Sequence, residues 1–138
     1  MRRLTTNEID TLLAADVVAR LATVDTGGFP HLTPLWFLWA DGVFLLTSYA
    51  GRPHLDRIGG DPRVGLLIDV EEPQRRDDER PNRQIRVVGT AAVSVDVDGE
   101  YTDRIRAKYL GAVTTPAAGR ARMLITVVPQ RWHAVASV

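Results

Sequence analysis

The stretch Pro30-His31-Leu32-Thr33-Pro34-Leu35-Trp36-Phe37-Leu38-Trp39-Ala40-Asp41-Gly42-Val43-Phe44-Leu45-Leu46-Thr47-Ser48 decides the fold. Two apolar runs flank Asp41-Gly42, and Asp-Gly supplies the two positive φ angles that a two-residue hairpin turn needs. The pattern predicts a strand over 30–40, a tight turn, and a strand over 43–48. Upstream, residues 17–24 are rich in aliphatic and β-branched side chains and run into the turn Thr26-Gly27-Gly28, which adds a third antiparallel strand. Ahead of these, Thr5 and Glu8 have the spacing of a capping box, with Ile9, Leu12 and Leu13 on one helical face.

Downstream, residues 52–58 suit a short helix, with Pro53 in its first turn and Gly59-Gly60 at its end. Asp61-Pro62 is a turn, and residues 63–70 form the next strand. Residues 71–83 hold acidic and basic side chains of both signs, two prolines and almost nothing else apolar. They read as a solvated, mobile loop; the alternative is a lid over a site. In residues 84–97, Ile85, Val87, Gly89, Ala91, Val93 and Val95 alternate onto one buried face of a long strand. Asp98-Gly99 ends it, residues 100–110 carry Tyr101, Ile105 and Tyr109 at helical spacing, and 114–119 form a loop. Two strands, 123–128 and 131–138, interrupted at Pro129, close the chain. The expectation is one mainly β domain over residues 1–138, an antiparallel barrel with a few short peripheral helices.

Composition narrows the function. The 138 residues include 17 basic and 17 acidic side chains, 3 histidines and no cysteine, with 45% hydrophobic and 25% charged residues. Zero net charge argues against nucleic acid or an anionic membrane as partner. The missing cysteine removes disulfides, thiolate nucleophiles, Fe–S clusters and cysteine-ligated zinc. No run approaches the ~18 apolar residues that span a bilayer. Met1-Arg2-Arg3 leads into a polar amphipathic segment rather than a signal peptide, so a cytoplasmic protein is expected. Every basic residue but Lys108 is arginine. Codon bias accounts for that, and so does a need for planar forks that bind phosphate or carboxylate.

His31, His54 and His133 are too dispersed for a zinc motif, and no nucleophile elbow, Walker A sequence or G-x-G-x-x-G is present. Asp41, Asp61 and Asp98 have turn roles. What remains is Thr47-Ser48-Tyr49-Ala50-Gly51-Arg52-Pro53-His54-Leu55, where hydroxyls at a strand end meet a helix start. Unpaired N–H groups, the positive end of the helix dipole, hydroxyls and an arginine fork all favour an anion. An ordinary strand–turn–helix with a solvated Arg52 carries the same residues. Trp36, Phe37 and Trp39 serve either as core packing or as one wall of a flat aromatic ligand site; Arg131-Trp132 is a similar pair.

Five segments occur in this order: Gly28-Phe29-Pro30-His31-Leu32-Thr33-Pro34-Leu35-Trp36, Val43-Phe44-Leu45-Leu46-Thr47-Ser48, Asp61-Pro62-Arg63-Val64-Gly65-Leu66-Leu67-Ile68, Ile85-Arg86-Val87-Val88-Gly89-Thr90-Ala91 and Val128-Pro129-Gln130-Arg131-Trp132. The set resembles the pyridoxamine 5′-phosphate oxidase-like split-barrel proteins, especially the actinobacterial flavin/deazaflavin oxidoreductases, over nearly the whole chain. The resemblance implies a six-stranded antiparallel split β-barrel and a homodimer with cofactor at the subunit interface. The cofactor is FMN or, alternatively, F420; some relatives bind haem or biliverdin. It implies phosphate-holding roles for Thr47, Ser48, Arg52 and His54, and a ring site along Thr33, Pro34, Leu35 and Trp36. Gln84, Arg86, Arg131 and Trp132 would come from the partner subunit. Relatives often carry R-x-K-x-x-N-L before the Asp-Pro-Arg turn; here the run is Arg52-Pro53-His54-Leu55-Asp56-Arg57-Ile58. His54 stands for the Lys and Arg57 for the Asn, so Arg57 is a candidate to restore the lost charge, with Asp56 nearby.

The function expected from the resemblance is hydride transfer to or from a small organic substrate on FMN or F420, with Arg52, Arg57 and Arg63 able to line a cationic groove. A non-catalytic flavin, deazaflavin or tetrapyrrole carrier is the alternative. Pyridoxamine phosphate oxidase activity itself is not expected, because that enzyme's longer C-terminal substrate-binding segment has no counterpart. An oligonucleotide-binding barrel is disfavoured by the neutral charge.

Overall fold

In a computed structural model, residues 1–74, 78–111 and 121–137 are described. The chain runs β1 (Arg2–Arg3), α1 (Thr6–Ala14), β2 (Ala19–Val24), β3 (Pro30–Leu35), β4 (Phe37–Ala40), β5 (Val43–Tyr49), α2 (Pro53–Gly60), β6 (Arg63–Glu71), β7 (Asn82–Val95), α3 (Glu100–Leu110) and β8 (Arg122–Ala136). All strand pairs are antiparallel, in the order β3-β2-β6-β7-β8-β5-β4, with β1 beside β8.

That order explains the closure. β3 and β4 stand at opposite ends of the hydrogen-bonded path, yet only Trp36 separates them in the chain. The sheet therefore curls until its two ends meet, as a split barrel does. The expected single strand 30–40 is corrected to two: its first part pairs with β2, its second with β5. Counting β3 and β4 as one bent strand, and leaving aside the two-residue β1, recovers the expected six. The break at Trp36 is stabilised from α3. Tyr109 Oη accepts from Phe37 N at 3.1 Å and donates to Val17 O at 2.8 Å. Lys108 Nζ donates to Phe37 O and Leu13 O, each at 3.1 Å. Backbone groups that a ladder would have paired are thus satisfied by two consecutive side chains.

The barrel interior holds Leu21, Phe37, Phe44, Leu46, Ile68, Ile85, Ile125 and Val127, all fully buried. β5 is covered on both faces, for Leu45 packs outward with Leu124 under Ile105 of α3. The capping box of α1 forms as the sequence predicts. α2 runs through Gly59-Gly60 instead of stopping there and is capped at Asp61.

Two further expectations change. The charged stretch 71–83 is shorter as a loop, because Glu71 pairs with Asn82 and Val70 with Arg83 as rungs of the β6–β7 hairpin, and Pro81 is buried. Residues 75–77 within it, and the expected loop 114–119, lie outside the described residues. The expected interruption at Pro129 is a bulge inside one continuous β8: Gly89 faces Pro129 while Val88 faces Arg131, so Gln130 is the extra residue. Val95 is 63% exposed, so the buried face of β7 ends near Val93.

Candidate anion and ring site

β5 delivers Thr47, Ser48 and Tyr49 to one end of the barrel. Gly51 then takes φ +86, a left-handed turn that glycine makes without strain. Arg52 follows in extended conformation as the N-cap of α2, and Pro53 opens the helix, where a missing N–H costs nothing. The amphipathic turn of α2 buries His54 and Ile58 and leaves Arg57 half-buried beside them. A cavity of about 520 Å³ opens here, between Thr33, Pro34 and Leu35 on one side and Arg52, His54 and Arg57 on the other. Thr47, Ser48, Tyr49 and Arg122 complete its wall, and no carboxylate is among the described residues lining it.

The hydrogen bonds sort the expected phosphate ligands. Thr102 Oγ1 donates to Asp96 Oδ2 at 2.6 Å, so across its 2.8 Å contact with Thr47 Oγ1 it accepts. Thr47 therefore has its proton committed and offers the cavity only lone pairs. Ser48 faces the other way, bonding His54 Nε2 at 2.8 Å. Burial, and then the charges of Arg57 and Arg52, hold the His54 imidazole below its ordinary pKa, so it is neutral at pH 7. The anion-attracting groups are thus the guanidiniums. Arg57 Nε donates to the buried Thr23 Oγ1 at 2.8 Å, which fixes that side chain at its near end. The Arg122 guanidinium carbon lies 4.2 Å, and that of Arg52 5.7 Å, from the centroid of the Tyr49 ring.

A second cavity, of about 550 Å³, shares Pro34, Leu35, Thr47, Tyr49 and Arg122 with the first and extends it to Trp36 and Arg106. Trp36 stacks on Tyr109 at 4.6 Å with planes 4° apart, so one indole face is held by the protein. Asp56 lines a neighbouring cavity with Asp25 and Asp61, and Arg57 lines both cavities. Arg63 does not join a groove; its fork is held by Asp61 at 2.8–3.0 Å.

Nine of the thirteen sequence candidates thus converge: Thr33, Pro34, Leu35, Trp36, Thr47, Ser48, Arg52, His54 and Arg57. The other four lie elsewhere in the protomer. Arg86 and Arg131 line a third cavity with Val88 and His133 on the outer face of β7 and β8, and Gln84 bonds Asn82. Trp132 is on the opposite face of β8 from Arg131 and stacks on Trp39 at 5.3 Å. Sequence reasoning missed Tyr49, Arg106, Tyr109 and Arg122. Arg122 pairs across the ladder with Tyr49, a contact between strands more than seventy residues apart that no local pattern announces.

The curled sheet with its two ends joined at Trp36, and the arginine-lined cavity beside it, define a split barrel with a cationic mouth. A family model described as pyridoxamine 5′-phosphate oxidase matches residues 5–136, and the chain belongs to that family. Among solved structures, an F420 reductase is 26% identical, with 89% of this chain and 94% of that one covered and a TM-score of 0.74. A FAD-binding protein from Mesorhizobium loti is 20% identical, with 99% and 98% covered and a TM-score of 0.69. A FAD and heme binding protein from Mycobacterium smegmatis is 17% identical, with 94% and 70% covered and a TM-score of 0.73. No curated protein matches the chain in sequence. No helix among the described residues is long and apolar enough to cross a membrane.

Proposed function

We propose that the protein is an FMN-dependent oxidoreductase acting on a small organic substrate, with the cofactor phosphate in the arginine-lined cavity and its ring along β3. The observation that carries this is the cavity of about 520 Å³ with Arg52, Arg57 and Arg122, and no carboxylate, among the described residues of its wall. Its size is that of cofactor sites, roughly 300–1,000 Å³. Arg52 and Arg57 hold the phosphate, with the first-turn N–H groups of α2 behind them. Pro34, Leu35 and Trp36 give the ring an apolar wall and exclude water. Thr47 presents an acceptor to any N–H laid against it. Arg106 and Arg122 put positive charge beside the ring, which stabilises negative charge developing there. A bound flavin supplies the hydride chemistry that the chain's own side chains lack.

F420 is the alternative cofactor. The continuity of the two cavities, with arginines at both ends, suits a longer and more acidic ligand. A cofactor carrier without turnover is the second functional reading, favoured by the absence of an acid–base pair in the wall. The outer face of β7 and β8, with exposed Val88 among Gln84, Arg86, Arg131 and His133, is the surface that would meet a second copy in a homodimer.

Absorption titration of the purified protein with FMN and with F420 tests the reading. Saturable binding of either at tens of micromolar, followed by reduction or reoxidation of the bound cofactor by a substrate, supports an oxidoreductase. Binding without turnover supports the carrier, and binding of neither contradicts both.

A further inference from the structure

His54 is 5% exposed and sits in the cavity wall. Its Nε2 is bonded to Ser48 Oγ, itself 5% exposed and in the same wall. Nδ1 has no protein partner among the described residues. The charged and titratable groups around the ring are few. α2 contributes Arg52, Asp56 and Arg57, with Asp56 lining the neighbouring cavity. β5 contributes Tyr49, and β8 contributes Arg122. β2 offers only the hydroxyl of Thr23, and the core face of β7 offers Ile85, Val87 and Ala91. Burial first, and then the charges of Arg57 and Arg52, keep the imidazole neutral.

We propose that His54 is a proton-coupled anion ligand, so that a phosphate group entering this cavity binds together with one proton taken up by the imidazole. A dianionic phosphate outweighs the neighbouring guanidiniums and reverses the preference of the ring. The imidazolium then has two N–H donors. Nε2–H donates to Ser48, which frees the Ser48 hydroxyl proton for the anion, and Nδ1–H is left for the anion itself. Proton uptake thus adds one donor to the pair: in either tautomer the neutral Ser48–His54 pair has one N–H or O–H to spare, and the imidazolium leaves both the Ser48 hydroxyl and Nδ1–H free. Phosphate binding becomes pH-dependent in a way a lysine would not make it. Affinity falls by up to about tenfold per pH unit as pH rises from the pKa of the empty site to that of the occupied one. This deepens the reading of the cavity above and rests on it only in taking phosphate as the anion.

The test is histidine NMR on the whole chain, following the three imidazoles against pH with and without tens of millimolar inorganic phosphate at constant ionic strength. His54→Asn assigns the signal, and His31 and His133 serve as internal controls. The expected result is that phosphate moves the His54 midpoint upward, by about one pH unit or more, and leaves the controls in place. A His54 midpoint that phosphate does not move, or that moves only as far as the controls, overturns the proposal. Phosphate affinity measured against pH gives a second readout. Expressed per phosphate dianion, so that the anion's own second ionisation is divided out, it should lose its pH dependence in His54→Lys, where the charge is permanent; an unchanged slope in that variant also overturns it. If FMN and F420 fail to bind while phosphate still shifts His54, the cofactor reading falls and the proton-coupled site stands.

Discussion

Two guanidiniums lie over the Tyr49 ring, Arg122 at 4.2 Å and Arg52 at 5.7 Å from its centroid, and both line the cavity mouth. Arg52 is exposed and makes no side-chain cap bond to α2, so its removal leaves the helix intact. Arg52→Ala is expected to weaken FMN binding by about 1.5–3 kcal/mol, the range for a hydrogen bond to a charged group, with an unchanged melting temperature. Equal affinity in the variant, read by flavin fluorescence quenching, removes Arg52 from the site. His54 adds a stability prediction. Its folded pKa is depressed, so around pH 6 the unfolded chain binds more protons and stability falls as pH drops through the ordinary histidine range. Thermal melts from about pH 7.5 to about pH 5.5 should show that slope, and His54→Asn should flatten it.

At the scale of elements, the bend between β3 and β4 depends on α3. Tyr109→Phe removes the hydroxyl that bridges Phe37 N and Val17 O and leaves both backbone groups without their partner. A loss of about 1–3 kcal/mol in urea unfolding is expected, larger than for a surface tyrosine. The bulge on β8 depends on Gly89 in the same way. A Cβ there would lie 2.2 Å from Val128 O, a backbone atom that cannot step aside. Gly89→Ala should cost about 1–3 kcal/mol or more by the same measurement. These two places also mark where the sequence stops being readable. The Asp-Gly turn, the capping box and the Pro53 helix start are local devices, and their signals sit within four residues of each other. The break at Trp36 has no such signal, because its cause is two side chains more than seventy residues downstream. Pro129 looked like a strand end because its tolerance rests on Gly89 in the facing strand. In the site, the residues contiguous along β3, β5 and α2 were legible. Arg122 and Arg106 were not, since which strand lies beside β5, and which helix over it, is a matter of topology.

For the whole molecule, a formal net charge of zero conceals a division. Asp61 neutralises Arg63, Asp69 pairs with Arg20, and Glu8 pairs with Arg2, all on outer surfaces. Among the described residues the cavity wall holds Arg52, Arg57 and Arg122 and no carboxylate, with Asp25, Asp56 and Asp61 in the neighbouring cavity that Arg57 also lines. A neutral protein thus carries a local positive potential where β3, β5 and α2 meet, and low surrounding polarity strengthens it. The homodimer is tested at this scale too. Sedimentation should give twice the chain mass of 15.2 kDa, and Val88→Arg on the outer face of β7 should shift it toward the monomer. The most direct measurement compares FMN with riboflavin, which has the same ring and no phosphate, in one fluorescence titration of the wild-type protein. If the arginine cavity holds the phosphate, FMN binds at least about tenfold more tightly, and the difference shrinks in Arg52→Ala. Equal affinity for the two flavins, or binding of neither, would contradict the assignment of this cavity.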